Sequence, residues 1–252
     1  MDGPGTWRAV ALVFRAADAG WRTPSGRRGR TRRVAGDEEI ATILEQLSRV
    51  RAAVESWSEG AARIDPLETL VVERPLVSLS PTGPDALWAG PDDVRPEIER
   101  LRLGGQAASI LVVWPSDGGV PLCGWGCSIG PSAAARGAGF SSIVSDEWRE
   151  HARRPFPEEG FVHEWLHQVE GALRSKGVGD DRFPSLHEAE IRTSCRPTDE
   201  PPFGGTYRTW HDRNPAGHSW QEWYADWMTG RVRRDDGTCY GLTPKLWREA
   251  VR

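Results

Sequence analysis

Three residues with the potential for metal chemistry lie close together in the stretch "FVHEWLHQVE", residues 161–170, where His163, Glu164 and His167 form the pattern His-Glu-x-x-His. Side chains at positions i and i+4 of an α-helix project from the same face, so both histidines could bind one ion at about 2.0–2.1 Å. Glu164 would lie about 100° around the helix from His163, where it could take a proton from water without ligating the ion. Zinc is the favoured ion, since imidazole is a borderline-soft ligand and hydrolysis needs no redox change. The pattern therefore predicts a hydrolytic zinc site with Glu164 as general base. The alternative is a pair of buried histidines hydrogen-bonded where a helix meets a sheet.

A catalytic zinc ion needs a third protein ligand, and two candidates follow in the sequence. Glu222 in "QEWYADW" shares a predicted helix face with Asp226, so Glu222 could ligate the ion while Asp226 orients a ligating imidazole. Ser219 and Glu222 also fit a capping box, in which Glu222 would only bond the amino end of its own helix. His187 in "FPSLHEAE" is the alternative third ligand, and it lies in a segment predicted to be irregular.

A donor for a developing oxyanion is the remaining requirement of hydrolytic chemistry. Tyr207 and His218 precede the predicted Glu222 helix and are the possible donors. Tyr224 lies about 200° around that helix from Glu222 and is expected to pack in the core.

The elements that must position these residues can be predicted from hydrophobic periodicity and helix-end signals. A helix over residues 157–176 carries the histidine motif, with Pro157 in its first turn and Gly177 after its end. The spacing of Ile and Leu residues predicts a second helix over residues 37–57. Residues 7–15 and the continuous apolar run 108–115 predict strands, the latter central in a sheet. Residues 140–148 combine apolar and polar positions and predict a strand near a sheet edge, whereas the Arg-rich residues 23–37 and the segment 178–217 predict loops.

Composition bounds the class of protein and its partners. The chain has 252 residues, enough for one large domain, and its net charge is −4 with 32 basic and 36 acidic residues interleaved. This balance argues against nucleic acid as a partner. Neither a signal peptide nor a long apolar segment is visible, which predicts a cytoplasmic protein without membrane contact. The four cysteines predict small buried thiols or a single disulfide rather than a disulfide scaffold.

The pair "HEWLH" and "EWYAD" resembles the gluzincin branch of the zincin metallopeptidases. In that branch His-Glu-x-x-His supplies two zinc ligands and the base, and a later helix bearing Glu-x-x-x-Asp supplies the third ligand and a supporting carboxylate. The resemblance implies these roles for Glu222 and Asp226. It also implies a twisted sheet with helices on one side, whose edge strand precedes the active-site helix and binds substrate as an added strand.

The expected fold is therefore α+β and zincin-like: a twisted mixed sheet with an active-site helix and a mostly helical C-terminal lobe. One catalytic domain would span residues 1–252, with a sheet-and-helix lobe over 1–177 and residues 178–252 supplying the third ligand. The expected function is zinc-dependent hydrolysis of peptide bonds in a peptide or peptide-like substrate. Two alternatives remain open: a zinc-dependent amide hydrolase or tailoring enzyme for a small peptide-like metabolite, and a non-enzymatic binding protein on a zincin-like fold.

Overall fold

The computed structural model describes residues 3–101, 104–105, 107–124, 126–146, 148–196, 205–209 and 220–252. At its centre is a mixed α/β arrangement around a five-stranded sheet. The strands of this sheet are β1 (Gly5–Phe14), β4 (Ala62–Val72), β7 (Ala108–Trp114), β8 (Gly126–Ile129) and β9 (Gly139–Val144). Their order is β4-β1-β7-β9-β8. The first four in this order run parallel, and β8 pairs antiparallel with β9 at one edge.

Both faces of the central sheet are covered, as the alternation of apolar residues in β1 requires. Trp7 and Val13 point into one hydrophobic core, whereas Leu12 and Phe14 point into a second core on the opposite face. Strand β7 is buried throughout, which confirms the prediction of a central strand from its continuous apolar run. Shorter strands form three small sheets: β2 (Ala16–Arg22) with β3 (Arg28–Val34), β5 (Ser80–Pro81) with β6 (Leu87–Trp88), and β10 (Thr193–Ser194), β11 (Val232–Arg233) and β12 (Cys239–Tyr240) together.

Helices cover the first of these two faces and carry the candidate site. The predicted helices over residues 37–57 and 157–176 are confirmed as α1 (Asp37–Trp57) and α4 (Glu159–Ser175), because both have a continuous apolar stripe that the core buries. Helix α4 packs against β8 and β9, and the C-terminal helix packs against β1. The described helices are α1 (Asp37–Trp57), α2 (Arg95–Arg100), α3 (Trp148–Ala152), α4 (Glu159–Ser175), α5 (Leu186–Glu190), α6 (Gln221–Thr229) and α7 (Pro244–Val251), with a 3-10 turn at Ala133–Ala135.

Two of the predictions about secondary structure, one of an edge strand and one of a loop, are wrong. Residues 139–144 form the interior strand β9, not an edge, and the polar side chains of Ser141 and Ser142 are buried there. Ser141 donates to the main-chain oxygen of Glu164, and Ser142 accepts a hydrogen bond from the indole of Trp114, so polarity here marks internal hydrogen bonding. The Arg-rich segment forms much of the β2–β3 hairpin, although arginine and glycine give it little intrinsic strand preference.

The four cysteines are paired, as Cys123–Cys127 and Cys195–Cys239. The sequence prediction allowed at most one disulfide, so the second pair is a correction. Within the described residues, no helix combines the length and the apolar character that crossing a membrane requires.

Candidate metal centre

Helix α4 carries its two histidines at the margin of the core. Val162, Leu166 and Val169 are fully buried, whereas His163 and His167 are partly exposed. The helix lies close to the end of the edge strand β8: a Cβ atom added at Gly171 would lie 2.5 Å from Cα of Gly130, the residue that follows the strand. This close contact brings the motif beside the edge of the sheet.

Three imidazoles converge beside β8. The Nε2 atoms of His163 and His167 are 3.2 Å apart, and His187 joins them so that one ring nitrogen of each lies within 4.8 Å of the others. Two nitrogens about 2.05 Å from one tetrahedral ion are about 3.4 Å apart, so the 3.2 Å separation fits a shared zinc ion. The ring centroid of His187 is 5.4 Å from that of His163 and 4.9 Å from that of His167. The donor set therefore fits a His₃ site.

The surroundings of His163 and His187 also suit metal binding, since an imidazole must be neutral to ligate. Burial, followed by the neighbouring His167 and His187, holds the pKa of His163 well below its usual value. Burial and His167 also lower the pKa of His187. The hydroxyl of Tyr224 lies 3.2 Å from Nδ1 of His163, and burial raises the pKa of this phenol well above its usual value. The oxygen of this neutral hydroxyl can accept a hydrogen bond from Nδ1–H of His163, and in that tautomer Nε2 is free to bind an ion.

Glu164 is held at the same site by the edge strand. Ser128 on β8 donates a hydrogen bond to Oε2 of Glu164 at 2.5 Å, which leaves Oε1 for another partner. Burial raises the pKa of Glu164, and the Ser128 hydroxyl opposes that rise. Gly126 leaves room for the carboxyl group, because a Cβ atom added there would lie 2.7 Å from Cδ of Glu164.

These residues surround a single cavity of about 330 Å³. The three histidines and Glu164 form one wall, and β8 with the segment before it forms the other. The cavity volume lies at the small end of the range for ligand sites. Its lining consists of Cys123, Gly124, Gly126, Ser128, His163, Glu164, His167 and His187.

His187 reaches the cluster because the short helix α5 begins against helix α4. Ser185 caps α5 by accepting a hydrogen bond from the main-chain N–H of Glu188. The first N–H of the helix, from Leu186, donates to Oε2 of Glu170 on α4 at 3.1 Å. Residue 187 follows directly, so this hydrogen bond lies one residue from the third imidazole.

The structure brings together His163, Glu164, His167 and His187. Glu222 is half-buried in the first turn of α6 and does not belong to the described group of convergent ligand atoms. Of the two candidates, His187 is thus the one whose ligand atom converges with those of His163 and His167. The segment around His187 was predicted to be irregular, but it contains helix α5.

Asp226 and Tyr207 have partners that differ from those predicted. Asp226 is fully buried and accepts hydrogen bonds from Ser194, Tyr207 and Arg196, each at 2.6 Å. Tyr207 is itself buried, and burial followed by Asp226 raises the pKa of its hydroxyl strongly. These contacts indicate a structural network around Asp226. The remaining possible oxyanion donor, His218, lies outside the described residues, as does Ser219.

Three supporting residues were not identified by the sequence reasoning: Ser128, Tyr224 and Glu170. Tyr224 is buried as predicted, but its hydroxyl also contacts His163. Only Glu170 left a local signal, because it lies three residues after His167 and so on a neighbouring part of the same helix face. Ser128 belongs to another strand, and no spacing within the sequence connects it to Glu164.

Comparisons with protein-family models, with curated proteins and with solved structures give no significant match for this chain.

Proposed function

We propose that this protein is a zinc-dependent hydrolase that cleaves a peptide bond, with His163, His167 and His187 as ligands and Glu164 as general base. The observation that carries the proposal is the convergence of three imidazoles and one carboxylate on a single cavity. A bound zinc ion would supply Lewis acidity, polarising a carbonyl group and acidifying water.

The residues of the chain divide the remaining chemistry among them. Ser128 holds Oε2 of Glu164, so Oε1 is the oxygen that would accept a proton from the attacking water and later deliver it to the leaving amine. Tyr224 keeps the Nδ1 side of His163 occupied, which directs Nε2 toward the ion. Neutral His163 and His187 require no deprotonation before they ligate.

The edge strand supports a peptide as substrate. Strand β8 borders the cavity and ends the sheet, and no further strand pairs with it among the described residues. An extended peptide could add to such an edge through main-chain hydrogen bonds, which would place a peptide bond beside Glu164. A sheet with an antiparallel edge strand next to a His-Glu-x-x-His helix also supports a zincin-like fold, with a histidine in place of the glutamate ligand that the gluzincin resemblance implied.

Metal titration and hydrolysis together test this proposal. Chelator-treated protein should bind one zinc ion per chain, and the zinc-loaded protein should cleave members of a mixed peptide library. Glu164→Gln should keep the zinc stoichiometry and lose at least about 100-fold in the hydrolysis rate, since general base catalysis contributes about that much or more. His187→Ala should weaken zinc binding by at least about 10-fold, whereas Glu222→Ala should leave it unchanged. Absence of stoichiometric zinc binding, or full hydrolysis by Glu164→Gln, would disprove the mechanism.

A further inference from the structure

Glu170 on α4 contacts both segments that supply the histidine cluster. Its Oε2 atom lies 3.7 Å from Nδ1 of His167. The same atom accepts the hydrogen bond from the main-chain N–H of Leu186, at the start of the helix that carries His187. The Glu170 side chain is only 17% exposed, so water competes little for these contacts.

The contact with His167 concerns the ring nitrogen that faces away from the cluster. Since Nε2 of His167 lies beside Nε2 of His163, the ring must carry its proton on Nδ1 if Nε2 is to ligate. The Glu170 carboxylate is placed to accept that proton's hydrogen bond after an approach of about 0.7 Å, judged against a usual length near 3.0 Å. A carboxylate in this position fixes the orientation of a ligating imidazole and strengthens it as a donor.

The contact with Leu186 is one of several that α4 side chains make with residues 178–186, the segment that leads to His187. Arg174, one turn after Glu170, donates to the main-chain oxygen of Val178 at 3.1 Å and pairs with Asp180 at 2.6 Å. Its guanidinium also lies 4.2 Å from the centre of the Phe183 ring, and 3.7 Å from Oε1 of Glu170. Arg174 therefore holds the middle of the segment 178–186, and Glu170 holds its end.

We propose that Glu170 is a positioning residue that couples His167 to His187, so that one carboxylate fixes two of the three imidazoles. This inference rests on the proposed zinc site. It assigns to Glu170 the supporting role that the sequence resemblance gave to Asp226. Loss of Glu170 would loosen His167 directly and His187 through α5, and the affinity for the ion would fall even if the chain stayed folded.

Zinc affinity of Glu170 variants tests the coupling, measured by competition with a chromophoric chelator. In Glu170→Gln the amide oxygen can still accept from Leu186, but it is a weaker acceptor for the imidazole of His167. We expect zinc to bind about 10- to 100-fold more weakly, the range for loss of such a supporting group. Glu170→Ala removes both contacts and should bind zinc more weakly still. Cobalt(II) substitution gives a second readout, because the visible absorption of the bound cobalt should change in both variants.

Glu188→Gln is the matched control. Glu188 lies on α5 next to His187 but pairs with Arg192 at 2.7 Å rather than with an imidazole. This variant should bind zinc and cobalt like the unaltered protein. Thermal unfolding of the zinc-free proteins separates coupling from a purely structural role, and we expect Glu170→Gln to unfold within about 3 °C of the unaltered protein.

The outcomes separate the two proposals. If the unaltered protein binds zinc and both Glu170 variants bind it equally tightly, the coupling is wrong while the zinc site stands. The same conclusion holds if Glu170→Gln lowers thermal stability but leaves the affinity and the cobalt spectrum of the folded protein unchanged. If the unaltered protein does not bind zinc, both proposals fail.

Discussion

Replacing Glu159 by glutamine should remove a loss of stability that the protein otherwise undergoes as the pH rises from acidic to neutral, although it removes an ion pair. Glu159 begins α4, one turn before His163, and is only 2% exposed. Its carboxylate lies 3.2 Å from Arg154 and accepts the main-chain N–H of Trp220 at 3.0 Å. Burial nevertheless dominates these contacts and raises the pKa of Glu159 from 4.5 to about 7.

The raised pKa fixes both the sign and the size of the effect. Between pH 4.5 and 7 the folded protein keeps a proton on Glu159 that the unfolded chain releases, so the stabilising contribution is complete below pH 4.5 and is lost as the pH rises through 7. Each tenfold difference in proton affinity corresponds to about 1.4 kcal/mol, and the difference between 4.5 and about 7 therefore corresponds to about 3 kcal/mol. In Glu159→Gln this loss cannot occur, because the amide does not titrate.

Urea unfolding of both proteins, free of metal, at intervals from pH 4.5 to 8.5 measures this contribution. The free energy of unfolding of Glu159→Gln minus that of the unaltered protein should rise by about 3 kcal/mol across the range. Other titrating groups are common to both proteins, so their contributions largely cancel. Glu45→Gln is the control for the substitution itself, since Glu45 is an exposed residue of α1 that also pairs with an arginine, Arg49.

A flat difference for Glu159→Gln, within about 0.5 kcal/mol, would show that Glu159 titrates alike in the folded and unfolded chains. A difference that falls with rising pH would show that the ion pair with Arg154 outweighs burial. Either result would refute the reasoning that burial dominates at this position.

Two further predictions concern packing and the carboxylate of α6. Gly171→Ala should lower the free energy of unfolding by about 1–3 kcal/mol, because the added Cβ would lie 2.5 Å from Cα of Gly130. This loss is expected although alanine is by itself about 1 kcal/mol more favourable than glycine in a helix. In the matched Gly20→Ala nothing lies within 4 Å of the added Cβ, so the same urea unfolding assay should show no such loss. Asp226→Asn should lower the free energy of unfolding by about 2–3 kcal/mol, since it leaves the charge of Arg196 without its partner at 2.6 Å. A chelator competition assay should find zinc affinity unchanged. A marked loss of zinc affinity would instead support the role that the sequence predicted for Asp226.

The fold could be predicted from the sequence where one element carries its own pattern. Helix α1 has an acidic first turn and a long apolar stripe, and β7 is a continuous apolar run, so local periodicity was sufficient. The hairpin of β2 and β3 had no such pattern. Its pairing depends on distant contacts, such as the hydrogen bond between Thr31 and Asp117, which a local reading cannot identify.

The same limit explains the error about the edge strand. Polar residues in a strand normally indicate a solvent-facing side, and Ser141 and Ser142 were interpreted in that way. In the structure their hydroxyls satisfy Glu164 and Trp114, and Gln168 also contacts Ser141. Buried hydrogen bonding and exposure produce the same alternation in the sequence, so only the three-dimensional partners distinguish them.

The two pairs of candidate residues spaced four apart show what such a spacing can and cannot predict. The four-residue interval between His163 and His167 is sufficient to place two imidazoles together, because one helix fixes both. The same interval between Glu222 and Asp226 shows only that they share a face. Tertiary contacts decide what that face packs against, and in the structure Arg196 forms an ion pair with Asp226.

His187 had no comparable pattern, because a helix of five residues is too short to show a period. The residue before it is instead hydrogen-bonded to a carboxylate that the motif helix itself carries, three residues after the second histidine. A charged residue at that position of a His-Glu-x-x-His helix lies on the same side as the two histidines. If another segment packs there, the charge needs a hydrogen-bond partner in that segment. Glu170 is thus a position in the local sequence that could have indicated that a further segment packs beside the histidine motif, and in the structure that segment is the start of α5.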